Sequence, residues 1–303
     1  MPLFEWRFLK GVLQVNRFFY YHPSCEFLFF FFVISVSMAV HNPFFLAISF
    51  FTSFAYLLRL KGKSALLQMF KFILPLLVIV TVLNGFMNSY GFTVLFELPW
   101  GNSVTAEALF YGFCQGLVFT SVIMWFMCYN EILTSEKFLY LFGKIFPNIT
   151  LMISMILRFI PHFKQKSEEI RQSRQGAGIR KEKKWAESVA VFSTLVSYCL
   201  ESSISLSLSM KSKGYPSEKR KPYCRYKFKS KDLKYILITS ANVLVVSACI
   251  FSGKSMFLFE PELYFENSLL FVLSCICFFV VCISPLAIDL TEDFKWRILK
   301  LKM

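Results

Sequence analysis

Residues Ser268–Ile288 read SLLFVLSCICFFVVCISPLAI, without a single charged side chain. A helix that crosses a bilayer needs roughly 20 mostly apolar residues, so this stretch alone predicts a membrane span. The rest of the chain agrees with it, because 56% of the 303 residues are hydrophobic, whereas soluble domains average about 45–50% apolar residues. The sequence is therefore that of a membrane protein.

Six apolar segments predict spans in an all-α, polytopic fold. They are Cys25–Val40, Pro43–Leu60, Phe70–Asn88, Ala106–Cys128, Lys234–Phe251 and Ser268–Ile288. The orientation follows from the basic residues, since cytoplasmic loops carry the excess of Lys and Arg. With the N-terminus inside, the outer loops at 41–42, 89–105 and 252–267 hold one of the 33 basic residues. Both termini are therefore predicted to be cytoplasmic.

A basic segment separates the fourth predicted span from the fifth. Residues 158–234 hold 19 of the 33 Lys and Arg but 7 of the 19 Asp and Glu. Two apolar stretches here, Ile145–Ile160 and Val189–Met210, contain Arg158 and Glu201. Because a charge at the centre of a membrane helix costs about 2.5–3.5 kcal/mol, we interpret both stretches as interfacial or cytoplasmic helices. The predicted domains are 1–130 with four spans, 131–233 as the cytoplasmic or interfacial domain, and 234–303 as a transmembrane hairpin with a cytoplasmic tail.

The sequence offers no pattern for catalysis, for a metal site or for a cofactor. His22, His41 and His162 lie far apart and no Cys-x-x-Cys accompanies them. Two Gly-Lys-Ser triplets lack the Gly that a phosphate-binding loop requires five positions earlier. The predicted spans contain almost no ionisable residues apart from Lys71 and Glu107 near helix ends, and such residues normally mark an ion path. Neither an enzyme nor an ion-coupled transporter is predicted.

Two helices of the basic domain are predicted to end in the same way. The first covers Lys164–Arg180 and should end near Gly176-Ala177-Gly178, and the second runs from about Ala186 to Lys213, with Gly214 just beyond it. Cations in the last turn followed by glycine are the usual signals of a helix C-terminus. An apolar stripe on the second helix comprises Phe192, Leu195, Val196, Cys199, Leu200 and Ile204. Serines four residues apart, such as Ser203 and Ser207, would let another helix approach closely.

These two helix ends resemble a known family. Residues 201–215, ESSISLSLSMKSKGY, resemble the second signature of the T component of energy-coupling factor (ECF) transporters, which ends in Ala-Arg-Gly-Tyr. Residues 169–178, EIRQSRQGAG, resemble its first signature, which ends in Ala-Arg-Gly. Two frames stay open for the first signature. In one frame Arg174 is the cation of the signature and Gly176 follows closely. In the other frame Ala177-Gly178 aligns with the Arg-Gly of the signature, and the cation is lost. We adopt the frame with Arg174.

The resemblance implies a scaffold and energy-transmitting subunit in a prokaryotic cell (inner) membrane. Its partners would be two ABC-type ATPase subunits and a small membrane-embedded S component that binds a vitamin or a metal ion. The pair of coupling helices would lie between spans four and five, and ATP hydrolysis would belong to the partners. The implied ATPase-docking residues are Arg174, Gln175, Gly176, Ser212, Lys213 and Gly214. The implied helix-packing residues are Ser203, Leu206, Ser207 and Met210.

A different interpretation is a membrane anchor without a role in transport, whose basic domain binds anionic lipid or a protein partner. A basic residue near an anionic membrane surface gains about 1 kcal/mol. The residues expected to contact lipid headgroups are Lys219, Arg220, Lys221, Arg225 and Lys227. Nucleic acid is not a predicted partner, because no recognition fold surrounds this stretch.

Overall fold

The computed structural model describes residues 18–88, 93–97, 103–143, 145–178, 184–215, 226, 228–252 and 269–302. These residues form nine helices, preceded by a short 3-10 turn at Phe18–Tyr20. The helices are α1 (Pro23–Ala39), α2 (Pro43–Lys61), α3 (Lys63–Met87), α4 (Ala106–Ile132), α5 (Ser135–Phe142), α6 (Pro147–Gly176), α7 (Lys184–Ser212), α8 (Ser230–Phe251) and α9 (Leu269–Lys302). The all-α prediction is confirmed.

The chain divides into two compact units. The transmembrane unit comprises Met1–Thr134 and Tyr226–Met303, and the hairpin unit comprises Ser135–Arg225. By length and composition, six described helices could cross a membrane: α2, α3, α4, the Trp185–Ser212 part of α7, α8 and the Leu269–Thr291 part of α9. Helix α1 is apolar but has 17 residues. The interfacial or cytoplasmic placement of α7 stays a prediction.

Several predicted boundaries were wrong. Instead of separate segments at 145–160 and 164–180, a single helix α6 continues through Pro161. A proline removes one hydrogen bond of the ladder, but here the turns on either side keep the helix going. Helix α3 begins at Lys63, seven residues before the predicted Phe70, and includes a π-helical segment at Met69–Ile73. Helix α9 continues past the predicted end of its span to Lys302.

A small β-hairpin lies in the predicted outer loop 89–105. Strand β1 (Val94–Glu97) pairs antiparallel with β2 (Ser103–Thr105), with a register irregularity between Val94 and Phe96. The hairpin leads directly into α4, whose first turn is capped by Thr105: its hydroxyl oxygen accepts a hydrogen bond from the Ala108 amide at 3.2 Å. The sequence predicts no strand here, because runs of three and four residues are too short to be distinguished from a loop.

The core of the transmembrane unit centres on Trp125 of α4. This side chain is fully buried, and its ring lies edge-on to that of Phe29 in α1, with centroids 5.7 Å apart. The indole Nε1 donates to Ser49 Oγ of α2 at 3.0 Å, and the Ser49 hydroxyl bonds that of Ser37 in α1 at 2.7 Å. These polar contacts satisfy groups that would otherwise lie unpaired in an apolar interior. Three helices are thereby fixed in register.

Helices α3 and α4 approach each other closely where α4 carries glycine. A Cβ atom added at Gly112 would lie 2.8 Å from the carbonyl oxygen of Thr81 and 2.8 Å from Cβ of Asn84. One turn later, a Cβ at Gly116 would lie 3.2 Å from the Leu77 carbonyl oxygen. Small residues four positions apart permit this packing between membrane helices. The pair Gly112 and Gly116 therefore sets the spacing of α3 and α4.

Three carboxylates at or near the ends of the predicted spans are buried, in addition to Lys71 and Glu107, the ionisable residues that the sequence predicts there. Glu26 lies in the first turn of α1, and Asp232 and Asp289 lie near the predicted ends of two other spans. Asp232 accepts from the backbone amides of Lys229, at 2.8 Å, and His22, at 3.3 Å. Asp289 accepts from the amide of Phe18 at 3.1 Å. Asp232 and Asp289 thus join segments more than 200 residues apart in sequence.

Candidate partner-docking hairpin

Helices α6 and α7 form an antiparallel hairpin. The rings of His162 and Tyr198 stack with centroids 6.2 Å apart, and Lys166 Nζ lies 5.2 Å from the Tyr198 centroid. Nearer the connection, Arg171 Nε lies 3.6 Å from Glu187 Oε1. Residue numbers rise along α6 as they fall along α7, which defines an antiparallel arrangement. Seven residues, 177–183, connect the end of α6 to the start of α7, so the C-terminus of α6 lies near the N-terminus of α7.

The end of α6 is a glycine turn at Gly178. The helix closes at Gly176, where the Ala177 amide donates to the Ser173 carbonyl at 3.0 Å. Gly178 has φ +79° and donates to the Gln175 carbonyl at 3.2 Å. A positive φ costs glycine little, because glycine has no Cβ. The turn glycine of this end is therefore Gly178, whereas Gly176 is still helical.

The end of α7 is a complete Schellman motif. Gly214 has φ +81° and its amide donates to the Lys211 carbonyl at 2.9 Å. The Tyr215 amide donates to the Met210 carbonyl at 3.0 Å. These two hydrogen bonds define the Schellman motif, in which the residue just past the helix cap has a left-handed backbone conformation. Lys213 is the cap residue itself, and it is exposed.

The two glycines with positive φ allow the ends of α6 and α7 to be aligned, which bears on the two possible frames of the first signature. Gly178 then corresponds to Gly214, and Ala177 corresponds to Lys213. Arg174 falls one turn earlier and is half-buried, whereas Lys213 is exposed. The backbone thus favours the frame that sets Ala177-Gly178 against Lys213-Gly214. The docking roles assigned to Arg174, Gln175 and Gly176, and to Ser212, Lys213 and Gly214, stay predictions.

The two glycine turns lie at opposite ends of the hairpin. Because the helices are antiparallel, Gly178 is near the start of α7 and Gly214 is beyond its end. Helix α7 has 29 residues and, at 1.5 Å per residue, is about 43 Å long. The hairpin therefore presents two helix ends about 40 Å apart.

Helix α7 presents a row of exposed apolar side chains along its whole length. They recur every three or four residues and therefore share one face: Trp185, Val189, Phe192, Val196, Leu200, Ile204 and Leu208. Trp185 is 82% exposed and Phe192 66%. Two members of the predicted apolar stripe, Leu195 and Cys199, are half-buried instead. An exposed apolar surface of this length requires cover by lipid or by another protein.

The predicted helix-packing residues occupy the last third of α7. Ser203 and Ser207 are exposed, and Leu206 and Met210 are half-buried. The Ser203 hydroxyl donates to the Cys199 carbonyl of its own helix at 2.6 Å, which satisfies it without a partner helix. A small, self-satisfied face of this kind suits close approach by another helix, and that role stays a prediction.

The predicted lipid-contact residues Lys219, Arg220, Lys221, Arg225 and Lys227 lie outside the described residues. In the part of the chain that the structure describes, no group of three or more His, Cys, Asp and Glu side chains is placed to hold a metal ion.

Fold and site together define a class: polytopic helical membrane proteins that carry a long helical hairpin with glycine-capped ends. Residues 18–223 match the CbiQ family, described as cobalt transport protein, and the chain belongs to this family. The match covers α1 to α7 and includes both glycine turns, and it confirms the resemblance to the T component of ECF transporters. The family is a membrane component of transporters, so the chain is a multi-pass transport protein. A search of curated proteins finds no match.

Proposed function

We propose that the protein is the energy-transmitting T component of an ECF-type importer for vitamins or metal ions. Membership of a cobalt transport family supports the transport role. The observation that carries the coupling role is the hairpin with two glycine-capped ends about 40 Å apart. Two separate ends of similar backbone geometry suit two separate copies of one kind of partner, here a pair of ABC-type ATPase subunits. The chain itself is not an enzyme in this proposal.

Each helix end docks into a groove on one ATPase subunit. Lys213 is exposed at the cap of α7, where its ammonium group can pair with a partner carboxylate. An ammonium group is a point charge, so this pair is less directional than the bidentate pair that an Arg would form. At the other end Arg174 supplies the cation from one turn inside α6. When the ATPases close on ATP, they move both ends, and the hairpin transmits the movement.

The apolar row of α7 is the surface on which the S component moves. Large exposed side chains from Trp185 to Leu208 form a long apolar contact surface. This row has no polar groups that would hold the S component at one position. The exposed serines Ser203 and Ser207 allow close approach of a helix near the end that carries Lys213. The S component contains the substrate site, and this chain provides the apolar surface along which the S component moves.

We place the protein in a prokaryotic inner membrane with both termini cytoplasmic. The support is the bias of basic residues, since the three predicted outer loops contain one Lys and no Arg. In this orientation the basic segment 158–234 faces the compartment that contains ATP.

Co-purification from native membranes tests the proposal. A tagged wild-type chain should bring down an ABC-type ATPase together with a small membrane protein. The double substitution R174E and K213E should abolish the ATPase, because each end then repels the partner's carboxylates. The matched control is K164E, an exposed charge reversal in the middle of α6, which should retain it. A wild-type chain that captures no ATPase, or a double variant that captures as much as the control, would refute the coupling role.

A further inference from the structure

A groove opens between α1 and α8 of the transmembrane unit. Its volume is about 250 Å³, and its lining is almost wholly apolar. Lining residues include Leu28, Phe32 and Ser35 of α1 and Tyr235, Thr239 and Val243 of α8. Leu28 and Phe31 at its edge are 49% and 63% exposed, so the groove is open on the outer surface of these membrane helices.

One end of the groove lies where α1 and α8 both begin. The Cys25 thiol approaches the Asp232 carbonyl oxygen at 3.8 Å, and the rings of Tyr21 and Tyr235 lie 5.6 Å apart. The two helices therefore start side by side and run in the same direction. From Cys25 to Ser35 the lining extends about 15 Å along α1. This is half of the roughly 30 Å hydrocarbon core of a bilayer, the depth of one leaflet.

An exposed lysine precedes the groove lining on α8. Lys231 lies four residues before Tyr235, and Thr239 and Val243 continue the same spacing, so Lys231 extends the lining row by one turn toward the membrane surface. Long side chains on a helix lean toward its N-terminus, which here is the direction of the lipid headgroups. Lys231 and Lys234 are exposed. Among the ion pairs of the described residues, neither of them takes part.

We infer that this groove binds one phospholipid with an anionic headgroup. The acyl chain lies between α1 and α8, and the phosphate lies against Lys231. A lipid matches two features of the groove: its lining is apolar over about 15 Å, the depth of one leaflet, and an exposed lysine lies one turn before that lining begins on α8. The inference goes beyond the proposed function and does not depend on it.

Native mass spectrometry of the full chain in detergent tests this site. Phosphatidylglycerol and phosphatidylcholine with identical acyl chains are the two probes. The wild-type chain should retain one phosphatidylglycerol. Ser240, an exposed residue of the lining, can be enlarged without disturbing the core, and S240F should fill the groove and lower retention about tenfold. K231Q should lower the preference for phosphatidylglycerol over phosphatidylcholine about fivefold.

Two controls make the outcome decisive. A241F places the same side chain on the opposite face of α8, at an exposed residue outside the groove lining, and K164Q removes a charge from the hairpin unit; both should behave as wild type. Equal retention by S240F and A241F would overturn the acyl-chain site. An unchanged preference in K231Q would overturn the role of Lys231. Retention of a second copy of the chain or of another membrane protein, lost in S240F alone, would assign the groove to a protein instead of a lipid.

Discussion

The two units differ in where their apolar side chains lie. The transmembrane unit buries a continuous aromatic and aliphatic cluster that includes Phe29, Tyr56, Trp125 and Phe278. In the described part of the hairpin unit, Val191 is the one hydrophobic residue that is buried, and a row of large side chains on α7 is exposed. The transmembrane unit therefore has a buried core of its own, whereas the hairpin unit carries a long exposed apolar surface. Sequence composition alone does not distinguish these roles, because α7 is as long and apolar as a span.

The largest effect on stability should come from truncating a buried aromatic residue of the transmembrane unit, compared with an exposed one of the hairpin unit. W125A removes a fully buried ring and its bond to Ser49, and we expect a loss of about 3 kcal/mol in the free energy of unfolding. F192A removes an exposed ring of similar kind on α7, and its effect on unfolding should stay within about 0.5 kcal/mol. Denaturant unfolding of the purified chain in detergent measures both. Equal destabilisation by the two variants would contradict the division into a self-sufficient and a partner-dependent unit.

A second expected effect concerns glycine in each unit. G112A places a Cβ 2.8 Å from a backbone carbonyl oxygen of α3, and the resulting separation of α3 and α4 should cost about 1–3 kcal/mol. The matched control is G176A, because Gly176 is also helical but has nothing within 4 Å of an added Cβ. Alanine there should be neutral or stabilise by up to about 1 kcal/mol. The same unfolding experiment applies, and a neutral G112A would show that α3 and α4 can separate at little cost.

The turn at Gly214 should yield a smaller effect on stability and a specific one on association. Alanine at φ +81° is strained by about 1–2 kcal/mol, and the chain relieves that strain by opening the last turn of α7. We expect G214A to weaken ATPase capture in co-purification while the transmembrane unit unfolds as in wild type. The control for capture is K164A, an exposed substitution in the middle of α6. Capture that is undiminished in G214A would mean that the Schellman turn is not part of the docking surface.

Much of the fold could be predicted because the bilayer imposes length and polarity on its helices. The apolar runs located α2, α4, α8 and the first part of α9 to within a few residues. The contacts of Asp232 and Asp289 could not be predicted, because their partners are backbone amides of distant segments. The choice between Gly176 and Gly178 as the turn glycine of α6 stayed open for a different reason. Gly176 and Gly178 are equally plausible from composition, and only the backbone φ separates them.

The smallest expected effect lies where α6 meets α7. Lys166 Nζ bonds Glu169 Oε2 at 2.9 Å and lies over the Tyr198 ring. The hydrogen bond and the charge of Glu169 raise the pKa of Lys166 above its ordinary value of 10.5. A raised lysine pKa contributes stability below the unfolded pKa, and this contribution is lost as the pH rises through the folded value.

E169Q should therefore lower the pKa of Lys166 while leaving unfolding at neutral pH nearly unchanged, since an exposed pair contributes little. Titration of the Lys166 ammonium by NMR measures the shift. Y198L is the companion variant, because it keeps Glu169 and removes the ring that α7 supplies. If Y198L lowers the pKa as much as E169Q does, Lys166 depends on α7 as strongly as on its own helix. Polar contacts between α6 and α7 at Lys166 and Tyr198 would then hold the hairpin together, and the exposed apolar row of α7 would be available to bind a partner.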